Sequence, residues 1–430
     1  MSAVPRHHVL VIGGGIAGLT TAISLRSAGI DVVVRESVPE VKPLGVGINL
    51  LPHAVRELDA LGLLEHLESN AVASTTLAYF SANGQKIWDE ARGRSAGYAW
   101  PQLSIHRGTL HVILHRAAED ALGSERVVTG RHLVAIEPID DGARATFECR
   151  EGGPDEVIDA DVVIAADGIH STVRRLRHPD EGMPLWNGAL LFRGALERQP
   201  LLDGRTMVWA GHPDQKFIAY PIRDLPNGRQ LVNFIAEYRT SDTELIERED
   251  WNRAANLDDV APRFEDWTFD WVDVPALLRS APAMFVFPMV DRDPLSSWTD
   301  GRVTLLGDAA HPMYPIGSNG ASQGILDARV LTGALLAHPN NPDMALAVYE
   351  AHRRPATGAI VLANRGLGPE MPMKLVHERA PDGFSTIDDV IGPDEILAVT
   401  NGYRQTAGFA LEALASGQSL ADADYSALPF

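Results

Sequence analysis

The residues with the plainest chemical purpose are three glycines, Gly13-x-Gly15-x-x-Gly18, with Ile16 and Ala17 between the second and third. They follow an apolar run at 8–12 and open a stretch, 19–28, that reads as a helix ending at Gly29. A second apolar run, 31–35, ends at Glu36. This is a strand, a glycine turn, a helix and a strand, the order that a dinucleotide needs. The first glycine permits the tight turn, the second lets backbone approach a pyrophosphate, and the third lets helix and strand pack closely. The helix start offers free N–H groups and partial positive charge to the phosphates. Glu36 stands where a ribose would donate hydrogen bonds. The alternative is that the glycines serve only a tight turn. The fingerprint alone does not separate NAD from FAD.

Two further motifs end apolar runs. Asp167-Gly168 follows 160–166, and Gly307-Asp308-Ala309-Ala310-His311-Pro312 follows 302–306. Beyond the second lies Pro315-Ile316-Gly317-Ser318-Asn319-Gly320-Ala321, and then a long apolar helix over 321–337. Earlier in the chain, Ser104-Ile105-His106-Arg107-Gly108 precedes a helical stretch at 107–122, and Gly45-Val46-Gly47-Ile48 follows the second strand. No second dinucleotide fingerprint, Gly-x-Ser-x-Gly elbow or histidine–cysteine metal spacing is present.

Other elements must position these motifs. An amphipathic helix is expected at 53–69, strands at 127–137 and 143–150, and a further helix at 343–365. The stretch 186–238 alternates in short β-like runs, and six of the eight tryptophans fall between 186 and 298. It reads as an inserted antiparallel sheet, with helices near 243–280. Trp251-Asn252-Arg253 reads as a surface helix without a role.

The composition narrows the field. With 430 residues, 45% hydrophobic and 22% charged, the chain has material for two or three packed domains. A net charge of −20 opposes phosphate backbones and anionic lipid, so nucleic acid and membrane surfaces are rejected as partners. The single cysteine, Cys149, cannot form an internal disulfide and reads as a strand residue. No signal peptide or membrane-length apolar run is seen, so a cytoplasmic protein is expected.

The fingerprint, the Asp-Gly motif and the Gly-Asp motif, in this order, resemble the single-component FAD-dependent aromatic hydroxylases with the para-hydroxybenzoate hydroxylase fold. The resemblance spans about residues 7–365. Gly45-Val-Gly-Ile-Asn49, Ser104-Ile-His-Arg-Gly108, Pro288-Met-Val-Asp-Arg-Asp-Pro294 and Met313–Gln323 resemble its phenazine-modifying branch, that of 5-methylphenazine-1-carboxylate monooxygenase.

The resemblance implies an α/β fold: a three-layer, Rossmann-like FAD domain with an inserted antiparallel substrate sheet and C-terminal helices. The FAD domain would comprise 1–180 and 295–365, the substrate domain 181–294, and the tail 366–430. It implies that Asp308 holds the ribityl chain and Arg107 the phosphate and ribityl region. Leu133 would meet the adenine through its backbone, and Asp167 would serve FAD and NAD(P)H binding. Gly47 would belong to a mobile loop near the flavin ring, with Gly320 and Ala321 beside the ring. NAD(P)H would visit transiently, and O₂ would yield a flavin C4a-hydroperoxide that hydroxylates an aromatic or N-heteroaromatic molecule, with or without decarboxylation. The substrate pocket is expected from Phe192, Arg193, Trp209, Phe217, Tyr220 and Phe234, with Tyr314 and Pro315 from the flavin side. Arg193 or Arg107 would hold a carboxylate, and Tyr220 would hydrogen-bond or deprotonate the ring substituent. Tyr-Glu-x-x-Arg-Arg-Pro at 349–355 reads as helix packing. Alternatives are a Baeyer–Villiger or demethylating flavoenzyme on the same scaffold, or a non-catalytic flavin module. A monomer or homodimer is expected.

Overall fold

The computed structural model describes residues 7–43, 45–241 and 254–429. Trp251-Asn252-Arg253 and the expected helix start near 243 lie outside them. The apolar runs of the fingerprint unit become β1 (His8–Ile12) and β2 (Asp31–Arg35), with α1 (Ile16–Ser27) between them. Strands that are apolar throughout suit a parallel sheet covered on both faces. Here β1 pairs in parallel with β2 and with β12 (Val162–Ala165), which pairs in parallel with β21 (Val303–Leu305). Short strands β8 (Val127–Val128) and β20 (Thr299–Asp300) form the edges of this six-stranded sheet. The two motif-bearing strands therefore end beside the glycine turn, as the dinucleotide reading requires. Helix α1 is buried along Gly18–Leu25 because it packs on both α4 (Arg107–Leu122) and α8 (Gly320–Ala337).

The expected helix at 53–69 is broken into α2 (Pro52–Ala60) and α3 (Leu64–Glu68). Gly62, at φ +77°, turns the chain between them. Strands β9 (Arg131–Ile139), β10 (Gly142–Cys149) and β11 (Glu156–Ala160) make an antiparallel sheet, and Cys149 is a strand residue. Strands β3 (Gly47–Leu50), β4 (Ala71–Ser74) and β7 (Gln102–His106) make another. Asp167 and Ser171 then start the short helix α5 (Thr172–Arg177).

The middle region is a seven-stranded sheet of β13 (Leu185–Arg198), β14 (Thr206–His212), β15 (Gln215–Asp224), β16 (Gln230–Arg239) and β19 (Phe285–Asp291), completed by β5 (Thr76–Phe80) and β6 (Lys86–Ala91). The last two come from the first segment, and β5 lies parallel to β14. The boundary expected at 181 is thus crossed by sheet pairing. Alternation divides the sheet into two faces. The back face carries Phe192, Phe217 and Phe234 and is covered by α6 (Leu257–Val260) and α7 (Val274–Arg279). The front face carries Tyr79, Trp209 and Tyr220. Strands β17 (Thr268–Phe269) and β18 (Val272–Asp273) form a small ribbon beside the back face.

Helix α9 (Pro342–Arg365) packs on α8. The tail is more ordered than its composition suggests. Its helices α10 (Met371–Arg379) and α11 (Pro393–Thr406) follow a 3₁₀ turn at Gly368–Glu370, and Met373, Val376 and Ile396 enter the front-face core. No helix among the described residues is long and apolar enough to cross a membrane.

Candidate active site

The three fingerprint glycines do three different things. A Cβ on Gly13, at φ +105°, would stand 2.4 Å from the Ala166 carbonyl oxygen, and one on Gly18 would stand 2.0 Å from the Gly13 oxygen. Both positions are closed by backbone. A Cβ on Gly15 would meet nothing within 4 Å. Gly15 therefore faces open space at the N-terminus of α1, where no side chain caps the helix. That is the cradle a pyrophosphate needs. Glu36 accepts from the Gly14 N–H at 2.5 Å and the Val38 N–H at 2.7 Å. Its carboxylate is fixed by backbone at the end of β2, beside the turn. Ile16 opens the helix half-buried.

Ala17 explains how the second motif arrives. Cβ atoms on Gly307 and on Gly324 of α8 would each lie 2.9 Å from the Ala17 Cβ. Only small residues allow this three-way approach, and it brings Asp308 and the start of α8 to the cradle. Asp308 lies deep in the fold yet is exposed, which puts its carboxylate on the wall of an internal cleft. Burial pushes that carboxyl up, while His311 and Arg107 oppose the shift. Arg107 begins α4, is exposed, and forms no ion pair among the described residues. Its guanidinium charge acts on Asp308, His111 and Arg193, so it lies near all three. His111 Nε2 contacts the Gly14 oxygen at 2.6 Å, a cradle residue that the sequence reading overlooked.

Asp167 has a structural half and an unsatisfied half. Its Oδ2 accepts from the Thr172 N–H at 2.7 Å, capping α5, whereas the buried Oδ1 has no partner. Burial raises its pKa. Leu133 lies on β9 at a bulge opposite Phe147, with its side chain in the core. Gly320 starts α8 uncapped, and a Cβ there would stand 3.9 Å from Asp308 Oδ1. Ala321 is half-buried in the same first turn. An open glycine, two uncapped helix starts, an unpaired arginine and an acidic wall suit the phosphates and polyol of FAD. No group of three His, Cys, Asp or Glu residues among those described could hold a metal.

The substrate side departs from expectation. Gly47 starts β3 and is tied by two side chains from the seven-stranded sheet. Its N–H donates to Asn233 Oδ1 at 2.6 Å, and its carbonyl accepts from Arg193 Nη2 at 2.8 Å. The end of the expected mobile loop is therefore pinned. Arg193 also sits against the Tyr220 phenol and 5.7 Å over the Phe287 ring. Its Nη2 is thus committed to backbone, although Nε has no partner. Tyr220 and Trp209 lie on the front face, and of the two Trp209 lines the cleft described below. Phe192, Phe217 and Phe234 point to the back and are core, which corrects their placement in the pocket. Tyr314 engages Asp291, which Arg365 grips through both oxygens. That commitment takes its hydroxyl away from the cleft, and burial with Asp291 pushes its pKa up to about 12. Pro315 is exposed at the start of a turn in which Gly317 and Ser318 have φ of +71° and +59°.

The turn is held by the tail. Tyr403 of α11 accepts from Asn319 Nδ2 at 2.8 Å and donates to Asn364 Oδ1 at 2.8 Å. A Cβ on Gly317 would strike its hydroxyl at 2.2 Å. Behind the turn, Asp327 accepts from the Gly307 N–H, contacts His311 Nε2 at 2.5 Å, and accepts from Arg353 Nε at 2.6 Å. The His311 and Arg353 contacts outweigh burial and hold its pKa at about 2. Arg353 and Tyr349, whose hydroxyl donates to the Leu305 carbonyl, give the 349–355 motif its packing role. Tyr403 left no local signal in sequence. Asn233 did: an amide inside an apolar strand needs a partner.

Between the front face, the 317–318 turn and α11 lies a cleft. Leu51, Leu77, Met207, Trp209 and Phe409 supply apolar wall, and Glu90, Arg92, Gln102 and Arg404 a polar end.

Comparison with known proteins follows this geometry. The FAD binding domain family matches residues 6–363. Phenazine 1,6-dicarboxylic acid hydroxylase PhzS of Lysobacter antibioticus is 40% identical over 409 residues, 94% of this chain and 98% of that protein. The 3-amino-4-hydroxybenzoate 2-monooxygenase of Streptomyces cremeus is 33% identical, covering 88% and 90%. Among solved structures, a salicylate hydroxylase substrate complex superposes with TM-score 0.73 at 24% identity, covering 97% and 98%. Klebsiella pneumoniae HpxO with FAD and uric acid gives 0.69 at 23%, covering 96% of each chain. The cradle and the family match agree on the cofactor: the chain belongs to the FAD binding domain family and is a flavin-dependent monooxygenase.

Proposed function

We propose that the protein hydroxylates an aromatic or N-heteroaromatic acid, with or without loss of its carboxylate, and takes NAD(P)H and O₂ as co-substrates. The observation that carries this reading is the cleft where the front face of the sheet meets the turn before α8. It lies next to a cradle suited to FAD. The relatives named for phenazine dicarboxylate and aminohydroxybenzoate support the choice of an aromatic acid.

Bound FAD supplies hydride acceptance and oxygen activation, chemistry no side chain here offers. The chain supplies binding, orientation and exclusion of water. The start of α1, Glu36 and Asp308 would hold the dinucleotide. The uncapped start of α8, at Gly320 and Ala321, favours negative charge beside it. Asn233 and Arg193 fix the start of β3 against the sheet, and Tyr403 fixes the turn opposite. Trp209, Met207 and Leu77 present an apolar wall to a planar ring. Burial raises the Tyr220 pKa and the Arg193 charge only partly offsets this, so the phenol stays protonated at neutral pH. It can donate or accept a hydrogen bond but is no general base. Tyr314, also protonated, is committed to Asp291. A substrate already rich in electrons needs no protein base.

The test is NADH and NADPH oxidation by the purified protein in air, with a panel of aromatic acids and mass analysis of products. Acid-stimulated oxidation and a product gaining one oxygen, or gaining OH in place of carboxylate, are expected. Oxidation that no acid stimulates would defeat the reading, and a ring-expanded or demethylated product would replace it with another oxygenase chemistry.

A further inference from the structure

The polar end of the cleft holds an imbalance. Arg92 follows β6, and its Nη2 donates to Glu90 Oε2 at 3.0 Å. Its Nε is buried with no partner. From the opposite wall Arg404 of α11 pairs with the same Glu90 through its other oxygen. Two guanidinium groups thus share one carboxylate. Beside them the Gln102 amide rests Nε2 on the Met207 sulfur at 3.0 Å and leaves Oε1 buried without a partner. Whichever way this amide is turned, one polar atom remains to be satisfied.

The other buried cations on the front face are placed differently. Lys216 meets two carboxylates, Glu237 at 2.8 Å and Glu370 at 2.5 Å, and so offers an anion nothing. Arg193 also keeps an unpartnered Nε, but it holds the Gly47 carbonyl and does not line the cleft. A buried guanidinium with a free N–H is costly unless a ligand completes it.

We propose that Arg92, with Arg404 and Gln102 beside it, forms a subsite that binds a carboxylate of the aromatic substrate. The ring then lies along Trp209 and Met207 towards Gly317 and Ser318. This deepens the function proposed above and rests on it. The space between the walls amounts to about 360 Å³. The Arg404–Glu90 pair bridges them. Arg404 is the more open of the two arginines, its side chain 24% exposed against 11% for Arg92. An incoming carboxylate competes with Glu90 for Arg404 and takes the free N–H of Arg92.

The experiment titrates the flavin-loaded protein with phenazine-1,6-dicarboxylic acid, 3-hydroxybenzoic acid and 3-amino-4-hydroxybenzoic acid, and with their methyl esters. Dissociation constants are read calorimetrically. In Arg92→Gln the acids should bind about 10- to 100-fold more weakly, as for loss of a charge-assisted hydrogen bond, while esters stay within about 3-fold. The double variant Glu90→Gln/Arg92→Gln, which leaves no unpaired buried carboxylate, should behave alike. Arg404→Gln, on the open side, should weaken acids by about 3- to 10-fold. Unchanged acid binding in these flavin-loaded variants, or equal losses for acid and ester, would overturn the subsite and leave the proposed function standing. A wild-type protein that binds none of the acids would overturn both.

Discussion

The cofactor cradle and the proposed substrate cleft meet along one turn, yet they are built by opposite means. The cradle is made of backbone. Gly13, Gly15 and Gly18 act by what they lack, and Glu36 is fixed by the N–H groups of Gly14 and Val38. The cleft is made of side chains from distant segments: Arg92 after β6, Gln102 on β7, Trp209 on β14, and Tyr403 and Arg404 on α11. A backbone device leaves a short contiguous motif, whereas a side-chain device depends on which face each strand presents and on what a tail packs against. The first tolerates almost no change at its glycines, and the second can change its ligand by substitution.

The sharpest way to break the comparison is at Gly18. Gly18→Ala places a carbon 2.0 Å from the Gly13 oxygen, so the first βαβ unit should lose at least about 3 kcal/mol. Denaturant melts would show this, and a wild-type midpoint would mean the close packing is not real. Next is the seam between the regions, where His53 of α2 is buried against Gln323 and the Phe409 ring. Burial, then the Arg56 and Arg353 charges, hold its pKa at about 3. The unfolded chain takes that proton near pH 6.5, so the folded state loses stability as pH falls from about 6.5 towards 3. The loss is roughly 2 kcal/mol by pH 5. His53→Gln should flatten that part of the stability–pH curve, and an unchanged slope would place the acid sensitivity elsewhere.

Smaller effects separate the two sides by function. Asp308→Ala should leave the fold intact and weaken FAD about 10-fold, through loss of one hydrogen bond accepted by a carboxylate. Flavin affinity equal to wild type would remove Asp308 from the cradle. Tyr220→Phe should retain full flavin and slow turnover of the aromatic acid several-fold, about 1 kcal/mol. Turnover at the wild-type rate would make Tyr220 a core residue like Phe217 behind it.

The same contrast decides what could be read from sequence. The parallel strands, α1, α4, α8 and α9 announced themselves by apolar runs and by glycine or proline punctuation. Most cradle residues followed from the motifs, His111 excepted. Three kinds of feature did not. The helix expected at 53–69 broke at Gly62, where one left-handed residue outweighed a continuous apolar pattern. Phe192, Phe217 and Phe234 were placed in the pocket as aromatics, but strand parity sends them to the back face under α6 and α7. Pairing of β5 with β14 and docking of Tyr403 on Asn319 join residues far apart in the chain, and no local pattern reports them.

The most direct measurement is the visible absorbance of the purified wild-type protein beside Gly15→Val, after both are offered FAD. Because a Cβ at Gly15 meets open space, this variant should fold and melt like the wild type while blocking the site where the pyrophosphate sits. The account predicts a yellow wild type with one FAD per chain and a folded, colourless Gly15→Val. A folded variant that keeps its flavin, or a wild type that takes up none, would contradict it.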